Sequence, residues 1–138
     1  RATSEEDLSL RGRIIAMTRE AARALGFEPR VVFDGPVDTA VSEGIAGELV
    51  SSAREALSNV VRHAGATAVD VEVGVDHSEV VLRVRDNGTG ISEEARTGAG
   101  RGLGNLRVRA ERCHGTLNIG AGGSGGTLVE LRVPLTAA

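Results

Sequence analysis

Two neighbouring runs of alternating apolar residues constrain the fold of this chain more than any other feature. The apolar positions are Val69, Val71, Val73 and Val75 in the first run and Val80, Leu82 and Val84 in the second. A period of two is that of a β-strand with one buried face. Asp76-His77-Ser78, between the runs, suits a tight turn. The sequence therefore predicts an antiparallel hairpin that must bury one face against another layer.

Segments with apolar residues at helical spacing precede and follow this hairpin. Residues 8–25 carry apolar residues close to helical spacing and precede Gly26, and residues 43–64 carry a longer apolar stripe that precedes Gly65. The other predicted elements are a helix over 103–113 and strands over 31–33, 115–120 and 127–133. This mixed order, with strands in adjacent pairs, predicts an α+β fold. We expect a two-layer α/β sandwich in which helices cover one face of a mixed, mainly antiparallel sheet.

Length and composition indicate one globular domain. The chain has 138 residues, of which 41% are hydrophobic and 25% charged, and we expect a single domain over 1–138 with its core over about 8–135. No apolar run approaches the roughly 20 residues that span a bilayer, and residues 1–7 are polar. A cytoplasmic domain is therefore expected. The net charge of −3 and the near absence of aromatic residues argue against a nucleic-acid partner.

The basic residues narrow the possible chemistry further. All 16 are arginine, and the chain contains no lysine. This excludes P-loop sites, the strand lysine of eukaryotic-type protein kinases and Schiff-base chemistry. Cys113 is the sole cysteine of the sequence, so it can form neither an internal disulfide nor a cysteine zinc cluster. We interpret it as a small buried helix residue rather than a reactive thiol.

The predicted 43–64 helix has a polar stripe opposite its leucines. The stripe consists of Glu48, Ser52, Glu55, Asn59 and Arg62. Most such stripes are solvated faces, but Glu55 and Asn59 lie one turn apart and point the same way. An amide oxygen suits Mg²⁺, and an arginine three residues further on is placed to reach a phosphate. The residues alone leave both interpretations open.

Three glycine-containing segments follow. Asp86 directly follows the second strand of the hairpin, which is predicted to end at Arg85. Gly88 and Gly90 would let a flat ligand approach the backbone while the Asp86 carboxylate accepts a hydrogen bond from its amine. By itself this pattern is also a common turn. Residues 98–105 run into the predicted 103–113 helix, where free backbone N–H groups can bind an anion. This glycine-rich segment is not a dinucleotide-binding fingerprint, because no strand precedes it. Residues 125–127 open the last strand.

Taken in order, these four segments resemble the nucleotide-binding boxes of the GHKL superfamily of gyrase, Hsp90, histidine kinase and MutL ATPases. The resemblance covers about 43–134 of the chain. The matching segments are Glu55-x-x-x-Asn59, Asp86-x-Gly88-x-Gly90, Gly100-x-Gly102-Leu103-Gly104 and Gly126-Thr127. Each segment is weak alone, but four in this order at plausible spacing are a strong signal. The fold of the superfamily, the Bergerat α/β sandwich, agrees with the predicted order of elements.

The resemblance implies a role for each segment around ATP and Mg²⁺. Asp86 would accept a hydrogen bond from the adenine amine, with support from Thr127. Asn59 would ligate Mg²⁺, and Glu55 would act as a general base or a polar positioning group. The other residues implied around adenine are Gly88, Gly90 and Ile91. Those implied around the phosphates are Arg62, His63, Gly100, Gly102, Leu103 and Gly104.

Within the superfamily, the chain resembles bacterial sensor histidine kinases. About ten residues separate the two glycine boxes, so any lid over the nucleotide is short, whereas the gyrase, Hsp90 and MutL branches carry longer insertions. The segments 55–64 and 102–111 are similar to those of nitrate-sensor-type kinases. The lack of lysine and the abundance of arginine, alanine, glycine and valine suggest a similarity to actinobacterial sensors of dormancy or oxygen.

This resemblance implies that ATP binding and the acceptor histidine lie on different domains. The domain would transfer the γ-phosphoryl group of ATP to a histidine on a separate dimerisation and phosphotransfer domain of the same protein, with a response regulator as an indirect partner. The full-length protein would be a homodimer and the isolated domain a monomer. His63, His77 and His114 fit the acceptor poorly, because it lies on a preceding dimerisation helix. Two alternatives stay open: an anti-sigma-factor serine kinase of the same superfamily, and a degenerate nucleotide-binding module.

Overall fold

The computed structural model describes residues 9–89, 101–121 and 125–135. The helices are α1 (Leu10–Leu25), α2 (Val37–Ala40), α3 (Glu43–Asn59) and α4 (Arg101–Arg112), and a π-helical segment (Val60–Ala64) continues α3. The strands are β1 (Arg30–Asp34), β2 (Val69–Val75), β3 (Glu79–Asp86), β4 (Thr116–Ala121) and β5 (Thr127–Pro134). The predicted elements are all present in the predicted order, and the one-turn helix α2 is an addition that apolar spacing did not indicate.

Capping residues fix the ends of the two longer helices. The hydroxyl groups of Ser9 and Ser42 each accept a hydrogen bond from the backbone N–H three residues later, at 3.0 and 3.3 Å. Gly26 ends α1 and Gly65 ends the π-helical segment, both with left-handed backbone angles, φ 87° and 60°. Glycine adopts this conformation without steric cost. The two glycines therefore stop the helices where the sequence predicts.

The five strands form one sheet in the order β1-β2-β3-β5-β4. β1 is parallel to β2, and the other three pairs are antiparallel. The parallel pair needs a crossover connection, which α2 and α3 supply. The turn between β2 and β3 is closed by Asp76 Oδ1, which accepts hydrogen bonds from the backbone N–H groups of Ser78 and Glu79; these bonds lower the pKa of Asp76. The prediction of a mixed, mainly antiparallel sheet is confirmed.

The apolar face of the sheet packs against the helices. One row of neighbouring residues across the five strands consists of Phe33, Val73, Leu82, Leu131 and Leu117. Ile14 of α1, Leu49 of α3 and Leu106 of α4 are almost fully buried in the same cluster. The predicted two-layer sandwich is therefore confirmed. In the part of the chain that the structure describes, no helix is long and apolar enough to cross a membrane.

The opposite face of the sheet carries a ladder of charged residues. Arg83 Nε lies 2.8 Å from Glu130 Oε2, and Arg83 Nη1 lies 3.5 Å from Glu72 Oε1. Arg132 Nε lies 3.4 Å from Glu130 Oε1, and the Arg132 guanidinium also pairs with Glu79. Burial by itself would raise the pKa of Glu130, but the two arginines outweigh it and hold this pKa below its ordinary value.

Replacing Glu130 with Gln should lower the free energy of unfolding at pH 7 by about 1 kcal/mol. Because the pKa of Glu130 is lowered in the folded state, its carboxylate stabilises the fold above the ordinary carboxyl pKa. That contribution is lost as the pH falls through the folded-state pKa. Urea unfolding at pH 7 and at about pH 4 should thus show a smaller parent–variant difference at the lower pH.

Glu72→Gln is the matched control for this measurement. Its side chain is 43% exposed and its contact with Arg83 is the longer one, so we expect a smaller effect at either pH. A loss of stability in Glu130→Gln that is the same at both pH values would contradict the ion-pair explanation.

Candidate functional site

The helix-covered face of the sheet ends in two polar residues. Asp86 is the last residue of β3 and Thr127 the first of β5, and the two are direct partners in the antiparallel pair. They continue the rows of Val84 and Val129 one pleat further, so they lie on the core side, where they are 6% and 8% exposed. A buried carboxylate needs hydrogen-bond donors, and the backbone N–H of Gly88 supplies one at 2.8 Å from Asp86 Oδ1. The site thus offers an anionic acceptor at the rim of the core.

The backbone at the start of β5 approaches Asp86 so closely that position 126 requires glycine. A Cβ atom built on Gly126 would lie 1.8 Å from the carbonyl oxygen of Asp86 and 2.8 Å from Cα of Asn87. Both neighbours are backbone atoms, which cannot rotate away as a flexible side chain can. The glycine that the sequence singled out before Thr127 is therefore required by packing against the turn after β3.

Replacing Gly126 with Ala should destabilise the domain by about 3 kcal/mol, because the added methyl group has to displace the backbone that carries Asp86. Urea or thermal unfolding measures the effect. Gly120→Ala, in β4, is the matched control, since a Cβ atom there meets nothing within 4 Å, and we expect a change within about 0.5 kcal/mol. Equal stabilities for the two variants would show that the close approach at Gly126 is not a constraint.

The polar stripe of α3 ends in a group of hydrogen-bonded side chains. Arg62 Nη2 donates to Asn59 Oδ1 at 2.9 Å, and Arg62 Nη1 donates to Ser58 Oγ at 2.6 Å. Asn59 Nδ2 is buried and has no hydrogen-bond partner among the described residues. Glu55 is half-buried one turn earlier on the same side of the helix. The structure therefore brings these three predicted residues together and adds Ser58, which the sequence did not single out.

The backbone hydrogen bonding changes from α to π immediately after Asn59. The π-helical segment includes His63 and ends before Gly65. Such segments within α-helices are rare and occur frequently at functional sites. The predicted helix over 43–64 is right in extent, but its last turn is of a different type. Apolar spacing could not reveal this, because a single π turn differs too little from an α turn in periodicity.

The first part of the same stripe is not a solvated face. Ser52 is 1% exposed, and its Oγ has no hydrogen-bond partner in the described part of the chain. Glu48 joins α3 to α4, with Oε1 3.4 Å from Arg109 Nη1 and Oε2 3.7 Å from Arg112 Nη1. These contacts pair the first half of α3 with the end of α4. The π-helical end of α3 leads into Val69, which pairs with Asp86, whereas α4 leads into the start of β4 at the other end of the sheet, so the two helices run in opposite directions. The end of α3, with Asn59, and the beginning of α4 therefore lie toward the same end of the sandwich.

The glycine-rich segment forms the first turn of α4. The helix begins at Arg101, two residues before the predicted start. Gly102, Leu103 and Gly104 consequently belong to the turn whose backbone N–H groups have no acceptor within the helix. Free N–H groups and the positive end of the helix dipole together favour an anion. Although α4 begins two residues earlier than predicted, Gly102, Leu103 and Gly104 still lie at its N-terminus, where the sequence predicts an anion site.

Part of the predicted site falls outside the described residues. These positions are Gly90, Ile91 and Gly100, together with the predicted lid at 92–101 except its last residue. Within residues 9–89, 101–121 and 125–135, no group of three or more His, Cys, Asp and Glu residues could hold a metal ion.

Cys113 has the surroundings of a packing residue. It follows α4, is half-buried, and its thiol donates to the carbonyl oxygens of Arg109 and Ala110 at 3.2 and 3.6 Å. Burial, and then the negative charge of Glu48, raise the pKa of the thiol. A raised pKa leaves less reactive thiolate at neutral pH, which agrees with the unreactive thiol that the sequence indicates. Cys113 is nevertheless half-buried and follows the helix, whereas the sequence predicts a buried residue within it.

Known protein families and sequences match most of the chain. A model of the family described as histidine kinase-, DNA gyrase B-, and HSP90-like ATPase matches residues 44–137. Sensor histidine kinase LiaS of Bacillus subtilis is 36% identical over 98 residues, which are 71% of this chain and 27% of LiaS. Sensor protein VraS of Staphylococcus haemolyticus is 34% identical over 107 residues, which are 78% of this chain and 31% of VraS. The chain thus spans about a third or less of the length of these relatives.

Solved structures share the fold. The ATP binding domain of PrrB from Mycobacterium tuberculosis superimposes with a TM-score of 0.68 at 24% identity, over 91% of this chain and 93% of that domain. The histidine kinase domain from the Erythrobacter litoralis EL346 blue-light activated histidine kinase superimposes with a TM-score of 0.76 at 24% identity, over 92% of this chain and 61% of that one. At such identities the likeness is evidence for the fold alone.

Proposed function

Since this chain belongs to the family of histidine kinase-, DNA gyrase B- and HSP90-like ATPases, we propose that it is the ATP-binding catalytic domain of a sensor histidine kinase. The observation that carries the proposal is the buried carboxylate of Asp86, opposite Thr127 at the end of the sheet. The relatives LiaS and VraS are sensor proteins, which favours this branch of the family. Glu55, Asn59 and Asp86 are all present, which argues against a degenerate module.

Asp86 is proposed to recognise adenine. Its carboxylate accepts a hydrogen bond from the exocyclic amine, and Thr127 supports the contact from the neighbouring strand. Gly88 keeps the turn tight by donating its N–H to Asp86 Oδ1, and Gly90 and Ile91 complete the adenine side. An acceptor fixed in a buried place discriminates strongly between a ligand with a donor and one without.

The end of α3 and the beginning of α4 are proposed to bind the phosphates. Arg62 reaches the phosphate oxygens and His63 borders them. On the opposite side, the phosphates meet the backbone N–H groups of the first turn of α4. The residues proposed to bind the phosphates through their backbone N–H groups are Gly100, Gly102, Leu103 and Gly104.

The residues at the end of α3 fit a magnesium ion. Mg²⁺ prefers oxygen ligands, keeps several waters and commonly takes only one or two protein ligands besides phosphate. Asn59 Oδ1 is one such oxygen, and the described residues form no larger cluster that would bind a different metal. When bound, Mg²⁺ neutralises charge that develops on the phosphate oxygens. Asn59 Oδ1 accepts one hydrogen bond, from Arg62 Nη2, and its second lone pair would be available to ligate the ion.

The proposed reaction is the transfer of the γ-phosphoryl group to an acceptor histidine. The imidazole nitrogen of the acceptor forms the new P–N bond while the bond to the β-phosphate oxygen breaks and ADP leaves. Glu55, one turn from Asn59, orients the acceptor imidazole and accepts its proton. The remaining contribution of the domain is positioning and neutralisation of charge.

The acceptor is proposed to lie on a separate dimerisation and phosphotransfer domain of the same protein. His77 occupies the exposed turn between β2 and β3, and His114 is an exposed residue after α4. Neither lies on a dimerisation helix. A cytoplasmic location, a homodimeric full-length protein and a response regulator as the next phosphate acceptor complete the proposal, with the isolated domain as a monomer.

Replacing Asp86 with Asn should weaken ATP binding about tenfold or more, because the charged acceptor of the adenine amine is lost. Titration with a non-hydrolysable ATP analogue in the presence and absence of Mg²⁺ measures the affinity. Asp70→Asn is the matched control, since Asp70 lies on the opposite face of the sheet, and it should bind like the parent. Parent-like affinity in Asp86→Asn would refute the adenine assignment, and a folded parent that binds no nucleotide would refute the ATP proposal.

Phosphoryl transfer can be followed by mixing the domain with a separately produced dimerisation domain and γ-labelled ATP. The parent should label that partner, and Glu55→Gln should reduce the initial rate by about 100-fold or more. Glu43→Gln, at the exposed start of the same helix, should act like the parent. The label should be acid-labile and stable in alkali, as a P–N bond is. An acid-stable label on serine would instead favour the anti-sigma-factor type of kinase.

A further inference from the structure

Asn87 joins two loops at the rim of the candidate site. Its Oδ1 accepts hydrogen bonds from the backbone N–H groups of Thr67 and Ala68 at 2.9 and 3.0 Å. Its Nδ2 donates to Thr67 Oγ1 at 2.9 Å, and its own backbone N–H donates to the carbonyl oxygen of Ala68 at 3.3 Å. Four hydrogen bonds therefore tie this one residue to the segment that precedes β2.

These bonds use nearly the full capacity of the asparagine side chain. An amide oxygen has two lone pairs, and here two successive backbone N–H groups occupy both. The residue occupies the spacer position between Asp86 and Gly88, where the sequence motif specifies no residue type. A spacer that only filled the turn would need no such arrangement. Asn87 is also exposed, so these bonds contribute more to geometry than to the stability of the core.

The location of this junction connects the two halves of the site. Thr67 and Ala68 belong to the short segment between the π-helical end of α3, next to Asn59, and β2. On its other side, the backbone of Gly126 lies so close to the turn after β3 that a Cβ atom built on Gly126 would be 1.8 Å from the Asp86 carbonyl oxygen. The backbone that carries the Asp86 carboxylate is therefore held on one side by the hydrogen bonds of Asn87 and on the other by the pairing of Asp86 with Thr127 of β5.

We infer that Asn87 is a positioning residue that sets the selectivity of this site for the adenine base. This inference rests on the proposed function, in which the Asp86 carboxylate receives the adenine amine. By accepting from Thr67 and Ala68, Asn87 fixes the turn so that the adjacent carboxylate meets a donor on the base. Without these two bonds the turn is held only by its pairing with β5 and can shift, and the carboxylate no longer distinguishes an amine from a carbonyl group at that position of the purine.

The test compares ATP with inosine triphosphate, which carries a carbonyl group in place of the amine. The dissociation constant of each nucleotide is measured for the parent, for Asn87→Leu and for Asn87→Asp. Leucine has a similar size but accepts no hydrogen bond, whereas aspartate can still accept from both backbone N–H groups. A change in the folded fraction or in overall charge affects the dissociation constants of both nucleotides alike, so it cancels in their ratio.

We expect the parent to prefer ATP by about tenfold or more, and Asn87→Leu to reduce this preference by about fivefold. Asn87→Asp should keep a ratio within about twofold of the parent. Asn118→Leu, on the distant strand β4, is the matched control and should have the ratio of the parent. Unfolding measurements on each variant confirm that the proteins are folded at the temperature of the titration.

Two outcomes would overturn the inference. An unchanged ratio in Asn87→Leu, with both affinities reduced equally, would assign Asn87 a purely structural role. A ratio in Asn87→Asp that falls as far as in Asn87→Leu would show that the two accepted hydrogen bonds are not the cause. A folded parent that binds neither nucleotide is a different result: it refutes the proposed function, and the inference with it.

Discussion

The alternation of side chains along β3 and β5 is the constraint on which the candidate site depends. Each residue on the core face of these strands is followed two positions later by another, and the series runs through apolar residues until it reaches Asp86 and Thr127. A shift of register by one residue would turn the whole series to the outer face. The packing that buries Val84 and Val129 therefore also buries the Asp86 carboxylate. Burial of the apolar residues offsets the free-energy cost of removing this carboxylate from water.

The contacts around this acceptor come from parts of the chain that are far apart in sequence. Gly126, directly before β5, leaves no room for a side chain against the Asp86 turn, and Asn87 ties this turn to the segment before β2. On the helical side, Glu48 joins the first half of α3 to the end of α4. The site lies beside the first two of these contacts, whereas the Glu48 contacts lie toward the other end of α3 and α4. The charged ladder on the outer face joins β2, β3 and β5.

Much of the fold could be predicted because its signals are local. Alternation predicts β2 and β3, helical spacing predicts α1, α3 and α4, and Gly26 and Gly65 mark helix ends because glycine adopts left-handed angles. The parallel pairing of β1 with β2 and the position of β5 between β3 and β4 were not predictable at this level. Strand pairing depends on which edges the connecting segments bring together, and no periodicity within a strand reports it. The short helix α2 was missed because four residues are too few to show a period.

The candidate site, like the fold, could be predicted from the sequence only in part. The amino-acid sequence by itself determined the chemical groups: Asp86 at a strand end, Glu55 and Asn59 one turn apart, and glycines where a backbone must approach closely. It also determined that no lysine takes part. Only the tertiary structure decided how these groups are held. The burial of Asp86 opposite Thr127 and the attachment of Asn87 to Thr67 and Ala68 both arise from packing between elements. Residue types and spacing specify which groups are available, whereas distances between segments many residues apart exist only after the chain has folded.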